Sequence, residues 1–182
     1  MATRSWSGKA HVLFNSIRPS LAEDGNRFAA RYLNEPETRL FTQMGRYDRS
    51  HSLLVAERCA DSPRLVRAAL LHDCGKLASE LPLWFRNLYT ALEILAPAWL
   101  SRRQESLAEG LPEGSAIASL QLLPGRWPRA LFAQSHHGKI GAELLEALGC
   151  ELEVTYLVRY HQGAVDPVDA ELRRFIEADS AF

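Results

Sequence analysis

From Tyr47 to Lys76 the chain reads YDRSHSLLVAERCADSPRLVRAALLHDCGK, a stretch in which metal-capable side chains sit on helical apolar stripes. Ser62-Pro63 is an N-cap followed by a proline suited to the first helical position, and Gly75 reads as a left-handed stop. These signals predict one short helix over 63–74. Within it Leu65, Ala68, Ala69 and His72 fall at i, i+3, i+4 and i+7, so His72 closes the buried stripe. Asp73, about 100° further round the helix, still faces the same cavity. Both side chains leave the last turn, where the helix dipole is negative and favours a cation. In the preceding segment, 40–60, Asp48 is suited to cap a helix whose inner face runs His51, Leu54, Val55, Cys59.

The same arrangement recurs three times near the C-terminal end. The inner faces are His137, Gly141, Leu144, Leu148; then Val154, Leu157, Val158, His161; then Leu172, Phe175, Ile176, Asp179. A polar group that extends an apolar stripe is buried, and burial without a partner costs about 2–7 kcal/mol. Five helices of this kind call for one shared partner, and a metal ion is the simplest.

The rest of the chain carries less chemistry. Residues 1–40 read as one or two amphipathic helices, broken near Pro19, Gly25 and Pro36, that pad the core. Trp84 or Phe85, Leu88, Leu92, Leu95 and Trp99 make a stripe suited to core packing or a cover over the site, with a membrane-surface or partner helix as the alternative. The stretch 101–135 is the least regular, interrupted by Gly110, Pro112, Gly114, Pro124, Gly125 and Pro128. Arg102, Arg103, Arg126 and Arg129 lie in or beside it, either as a phosphate grip or as solvated surface. At 182 residues, 47% hydrophobic and 24% charged, this is one soluble globular domain, or one with a small appendage. A net charge of −1 offers no basic face for nucleic acid. Cys59, Cys74 and Cys150 sit in apolar helical context, which points to buried thiols in a reducing compartment. No apolar run has signal-peptide length and the window 81–100 is interrupted by Arg86, Asn87, Glu93 and Pro97. A cytoplasmic chain without a transmembrane segment is therefore expected. Oligomeric state is left open.

Taken in order, His51 in HSLLVA, the doublet in LLHDCGK, His137 in HHGKIGAELL, His161 in RYHQG and Asp179 in EAD resemble the HD-domain superfamily of metal-dependent phosphohydrolases. The resemblance covers roughly residues 45–182, most of the chain. It implies an all-α bundle around a buried metal centre, with 1–40 packing on a domain of 41–182 that carries a variable insertion at about 77–135. By family precedent His51, His72, Asp73 and Asp179 hold one metal, and Asp73 bridges to a second held by His137 and His161. Nitrogen and carboxylate ligands suit Fe, Mn, Co, Ni or Zn, one or two per chain. Two cations about 3.5–4 Å apart activate a water for attack on phosphorus. Asp73 and Lys76 are then the catalytic candidates, Lys76 as a phosphate-neutralising cation, and Arg46, Arg49 and His136 are further candidate substrate contacts. The implied activity is hydrolysis of a phosphate ester or anhydride of a small substrate, a nucleotide by preference. The alternatives are a di-iron oxygenase and a non-catalytic sensor or scaffold. His137 to Ala142 and Arg159 to Gly163 are similar to elements of the hydrolases that split dinucleoside tetraphosphates. Tyr160 and Gly163-Ala164-Val165 depart from the second His and the Gly-Tyr-Pro loop of cyclic-dinucleotide phosphodiesterases, which argues against that activity and against a third metal. Cys74 fills the variable slot of the doublet motif as a small core residue, and the residues that would read a base or sugar fall within 77–135.

Overall fold

The computed structural model describes residues 19–79, 88–89, 91–92, 95–112, 114–163 and 169–182. Among them are nine α-helices and no strand, so the fold is all-α. The helices are α1 (Pro19–Ala29), α2 (Glu35–Gln43), α3 (Arg46–Arg58), α4 (Pro63–Leu71), α5 (Pro97–Ala108), α6 (Ala116–Leu122), α7 (Arg126–Ala147), α8 (Leu152–Tyr160) and α9 (Ala170–Ser180), with a 3-10 turn at Cys74–Ser79. No helix among the described residues is long and apolar enough to cross a membrane.

The centre of the bundle is α4. Ser62 caps it, its Oγ accepting from Leu65 N, and Pro63 opens it. Leu65, Val66, Ala68, Ala69, Leu70 and Leu71 are all buried, as befits a helix enclosed on every side by α2, α3, α8 and α9. Each such leucine contributes about 1.5–3 kcal/mol through burial. Phe41, Val55, Leu145, Val158 and Phe175 close the same core from α2, α3, α7, α8 and α9. A second, smaller cluster joins α6 to α7 through Leu120, Leu123, Phe132 and Ile140.

Several local expectations are corrected. The segment 40–60 is two helices, because Met44 is extended and Gly45 occupies the N-cap of α3. Asp48 does not cap that helix; it is buried within the first turn. Gly25 lies inside α1 rather than breaking it, and a Cβ there would meet Leu53 Cδ1 at 2.3 Å, so glycine allows α1 to lie against α3. Pro36 begins α2 instead of interrupting it, next to a capping box formed by Asn34 and Glu37. Helix α4 ends at Leu71, with His72 as its C-cap.

The stretch 101–135 is largely helical. Gly110, Gly114 and Gly125 have positive φ and fall in the connections, which is why composition alone made the region look irregular. On α7 the buried face includes His137, Gly138, Ile140, Gly141 and Leu145, whereas Leu148 is 41% exposed. Leu148 is the C-cap of α7, at the end of the helix where the buried face has run out. The stripe of 84–99 also changes phase, because Pro97 opens a new helix. Leu95 and Trp99 are exposed, while Tyr89 and Leu100 are buried against Ala130. Trp84 and Phe85 lie outside the described residues.

Two carboxylates, Glu37 buried and Glu143 partly exposed, tie the layers together. Glu37 of α2 takes a fork from Arg67 of α4, with Nη2 to Oε1 at 2.6 Å and Nε to Oε2 at 3.0 Å, and Arg67 also reaches Glu151 before α8. Glu143 of α7 accepts from Ser115 Oγ and from the Ala116 and Ile117 amides, and so satisfies the start of α6.

Candidate metal centre

Each of the six inward-facing polar residues is placed by the end or the middle of a helix. His51 lies in α3, His72 is the C-cap of α4, Asp73 follows it, His137 is in the middle of α7, His161 is the C-cap of α8, and Asp179 lies in the last turn of α9. All six are at least 93% buried, on residue exposures no higher than 7%. The carboxyl ends of α4, α8 and α9 therefore converge here, and their dipoles add negative potential to two carboxylates.

The contacts form a continuous chain. His51 Nε2 donates to Asp179 Oδ1 at 2.7 Å, and the same oxygen lies 3.3 Å from His72 Nε2. His72 Nε2 is 3.5 Å from Asp73 Oδ1, which lies 3.3 Å from His137 Nε2. His137 Nε2 in turn is 3.1 Å from His161 Nε2. Phe175 stands edge-on to His72 and packs on His161, and Phe182 lies edge-on to His51 beneath the Arg58 guanidinium.

Ring orientation follows from local backbone. His72, His137 and His161 each bond through Nδ1 to the carbonyl three residues earlier, Ala69, Gln134 and Val158, at 2.7, 2.8 and 2.6 Å. An Nδ1–H donated in this way leaves Nε2 as a lone pair turned inward, the usual outer-sphere arrangement of a metal-ligating imidazole. Two such lone pairs, on His137 and His161, face each other at 3.1 Å. That geometry is repulsive unless a proton or a cation lies between them.

The fit to a metal rests on this opposition and on buried atoms left without hydrogen bonds. His72 Nε2 and both oxygens of Asp73 are buried without a hydrogen-bond partner. The Lys76 ammonium, 2.6 Å from Asp73 Oδ1, makes an ion pair there rather than an aligned hydrogen bond. Two overlapping groups could hold an ion: His51, His72 and Asp179, and His72, Asp73 and His161. His72 belongs to both. The donor set of imidazole nitrogen and carboxylate oxygen suits a divalent transition metal.

Burial lowers the affinity of His51, His137 and His161 for protons, most strongly at His161, where the neighbouring imidazoles of His137 and His72 add to it. At His72 burial acts in the same direction but the Asp73 and Asp179 carboxylates outweigh it, and its pKa rises. Burial pushes Asp73 and Asp179 up, yet the surrounding imidazoles, with Lys76 at Asp73, hold both well below the usual carboxylate range. The centre therefore presents ionised oxygens and three imidazoles that disfavour a proton, as metal binding requires, whereas His72 is biased toward its protonated form and has to give that proton up to an ion.

The remaining candidates divide. Lys76 is brought to the cluster. His136 is not: it stacks on Phe132 with ring centroids 4.1 Å apart and bonds Ser135 Oγ and the Phe132 carbonyl. Arg46 is exposed at the start of α3, and Arg49 points to Asn26 of α1. Arg129 bonds the Leu120 and Gln121 carbonyls at the end of α6, and Arg102 bonds the Ala98 carbonyl. Cys74 is a small buried residue whose Sγ lies against the Gly141 carbonyl.

The edge-on contact of Phe182 with His51 escaped the sequence reading, since no local pattern links the two residues. The role of Gly75 was also missed. Its Cβ would lie 2.0 Å from the His137 carbonyl oxygen, and Gly141 faces the same junction from α7. Gly75 is not left-handed; it permits the turn carrying Asp73 and Lys76 to touch α7. The described cavities, about 370 Å³ between α1 and α3 and about 290 Å³ beside α8, are lined by other residues, and the chemistry lies outside them. Comparison with protein-family models, with curated proteins and with solved structures finds no match for this chain.

Proposed function

We propose that this chain is a metal-dependent phosphohydrolase of the HD type, acting on a phosphate ester or anhydride of a small substrate, with a nucleotide as the substrate class. The observation that supports it is the meeting of four imidazoles and two carboxylates from five separate helices at one buried point. His51, His72, Asp73, His137, His161 and Asp179 would hold one or two divalent ions. When bound, such an ion supplies a Lewis acid that lowers the pKa of water and neutralises charge on phosphate. The chain's own residues do the rest. Three Nδ1–carbonyl bonds keep the Nε2 atoms aimed inward, so little reorganisation accompanies binding. Lys76 holds a positive charge beside Asp73, where a phosphate oxygen can be neutralised.

The test is a phosphate-release panel of nucleotides, dinucleoside polyphosphates, and lipid and sugar phosphates, run with Mn, Co, Ni, Fe and Zn and with a His72→Ala control. Release by the loaded wild type and none by the variant is expected. Stoichiometric metal with no phosphate compound hydrolysed would overturn the proposal. Substrate-dependent oxygen uptake by the iron-loaded protein would assign an oxygenase instead, and failure to take up any metal would leave a scaffold.

A further inference from the structure

The two histidines that face each other come from different helices, and their separation depends on how closely α8 approaches α7. At that crossing Gly138, the residue after His137, carries no side chain. A Cβ there would lie 2.9 Å from the Val158 carbonyl and 3.0 Å from the Arg159 carbonyl, so the helices touch backbone to backbone. Into the same junction Gln162, the residue after His161, extends its amide. Its Oε1 accepts the Gly138 N–H at 2.9 Å, and its Nε2 lies 3.5 Å from the Gln134 carbonyl. That carbonyl is also the one that receives His137 Nδ1–H at 2.8 Å.

We infer that Gln162 is a positioning residue for the metal centre: its side-chain amide fastens the end of α8 to the backbone around His137 and so sets the spacing of the His137 and His161 Nε2 atoms. The inference rests on the metal-binding reading above. Gln162 is solvent-exposed and packs no core, so its bond to a part-buried amide is a matter of register rather than of bulk. A partner that orients a ligand from outside the coordination sphere is worth about 10–100-fold in metal affinity.

Three variants separate this role from a structural one. Gln162→Leu and Gln162→Ser each remove the acceptor for Gly138 N–H, the first keeping the bulk and the second discarding it; Gln162→Glu keeps the acceptor. Titration of the chelator-stripped protein with Mn or Co, read by isothermal calorimetry, should show the first two weakened by about 10–100-fold. Gln162→Glu should bind at least as tightly as wild type, and all three should unfold in urea near the wild-type midpoint. In the stripped protein the Gly138 amide should exchange with deuterium faster in Gln162→Leu than in wild type, a readout that needs no metal. Wild-type affinity in both Gln162→Leu and Gln162→Ser, or a loss in Gln162→Glu as large as theirs, would overturn the inference. A wild-type chain that takes up no metal at all would instead sink the reading on which it rests, and unchanged Gly138 exchange would then count against the Gln162 bond separately.

Discussion

Replacing Gly75 with alanine tests how the metal-capable cluster is assembled. Gly75 has no positive φ, so alanine adds no backbone strain and acts only through space. The new Cβ would lie 2.0 Å from the His137 carbonyl oxygen and 2.7 Å from Gly141 N. An ordinary carbon–oxygen contact is about 3.3–3.6 Å, so the turn and α7 must separate by about 1.3 Å. Both neighbours are main chain, and neither can rotate out of the way as a side chain would. Overpacking usually costs about 1–3 kcal/mol, and rigid backbone on both sides places this case at the upper end, about 3 kcal/mol. For a chain of this size that corresponds to a Tm lower by about 6–12 °C. The same movement draws Asp73 away from His137, now 3.3 Å apart, so under the proposed metal-binding function affinity for Mn or Co should fall as well. Urea unfolding of the stripped protein and calorimetric metal titration measure the two effects. A stability change within about 0.5 kcal/mol together with unaltered metal affinity would refute the reasoning.

Gly149→Ala provides the contrasting case: φ is +71° and nothing lies within 4 Å of a Cβ, so it should cost about 1 kcal/mol in urea unfolding and leave metal affinity as it is. Arg67→Met removes the fork from Glu37, which has no exposed surface, and should destabilise by about 3 kcal/mol; a loss below about 1 kcal/mol in guanidinium unfolding would contradict the buried-pair account. At Glu37 burial raises the pKa, but Arg67, Cys150 and the Asn34 amide outweigh it and the folded value is below 4.5. Its contribution is therefore complete above the unfolded pKa and is lost as pH falls through the folded one, so Glu37→Gln should flatten the decline in urea midpoint between about pH 5 and 3. Asp179→Asn removes the carboxylate shared by His51 and His72 and should weaken the tightest metal site by more than about 100-fold in calorimetry, beyond what outer-sphere partners usually supply.

By itself the sequence determined the helical character, the Ser62-Pro63 start of α4, and the inward placement of His51, His72, Asp73, His137, His161 and Asp179. Caps and apolar periodicity act over a few residues, so they are readable without knowing the fold. Tertiary structure alone decided why Gly75 and Gly138 must be glycine, that Leu148 falls off the buried face of α7, that Glu37 pairs with Arg67, and that Phe182 lies against His51. Each of these depends on the distance between segments remote in the chain, set by how whole helices pack, and no local pattern carries that distance. His136 makes the same point from the other side: adjacent to His137, it is turned by α7 onto Phe132, because consecutive helical residues project about 100° apart.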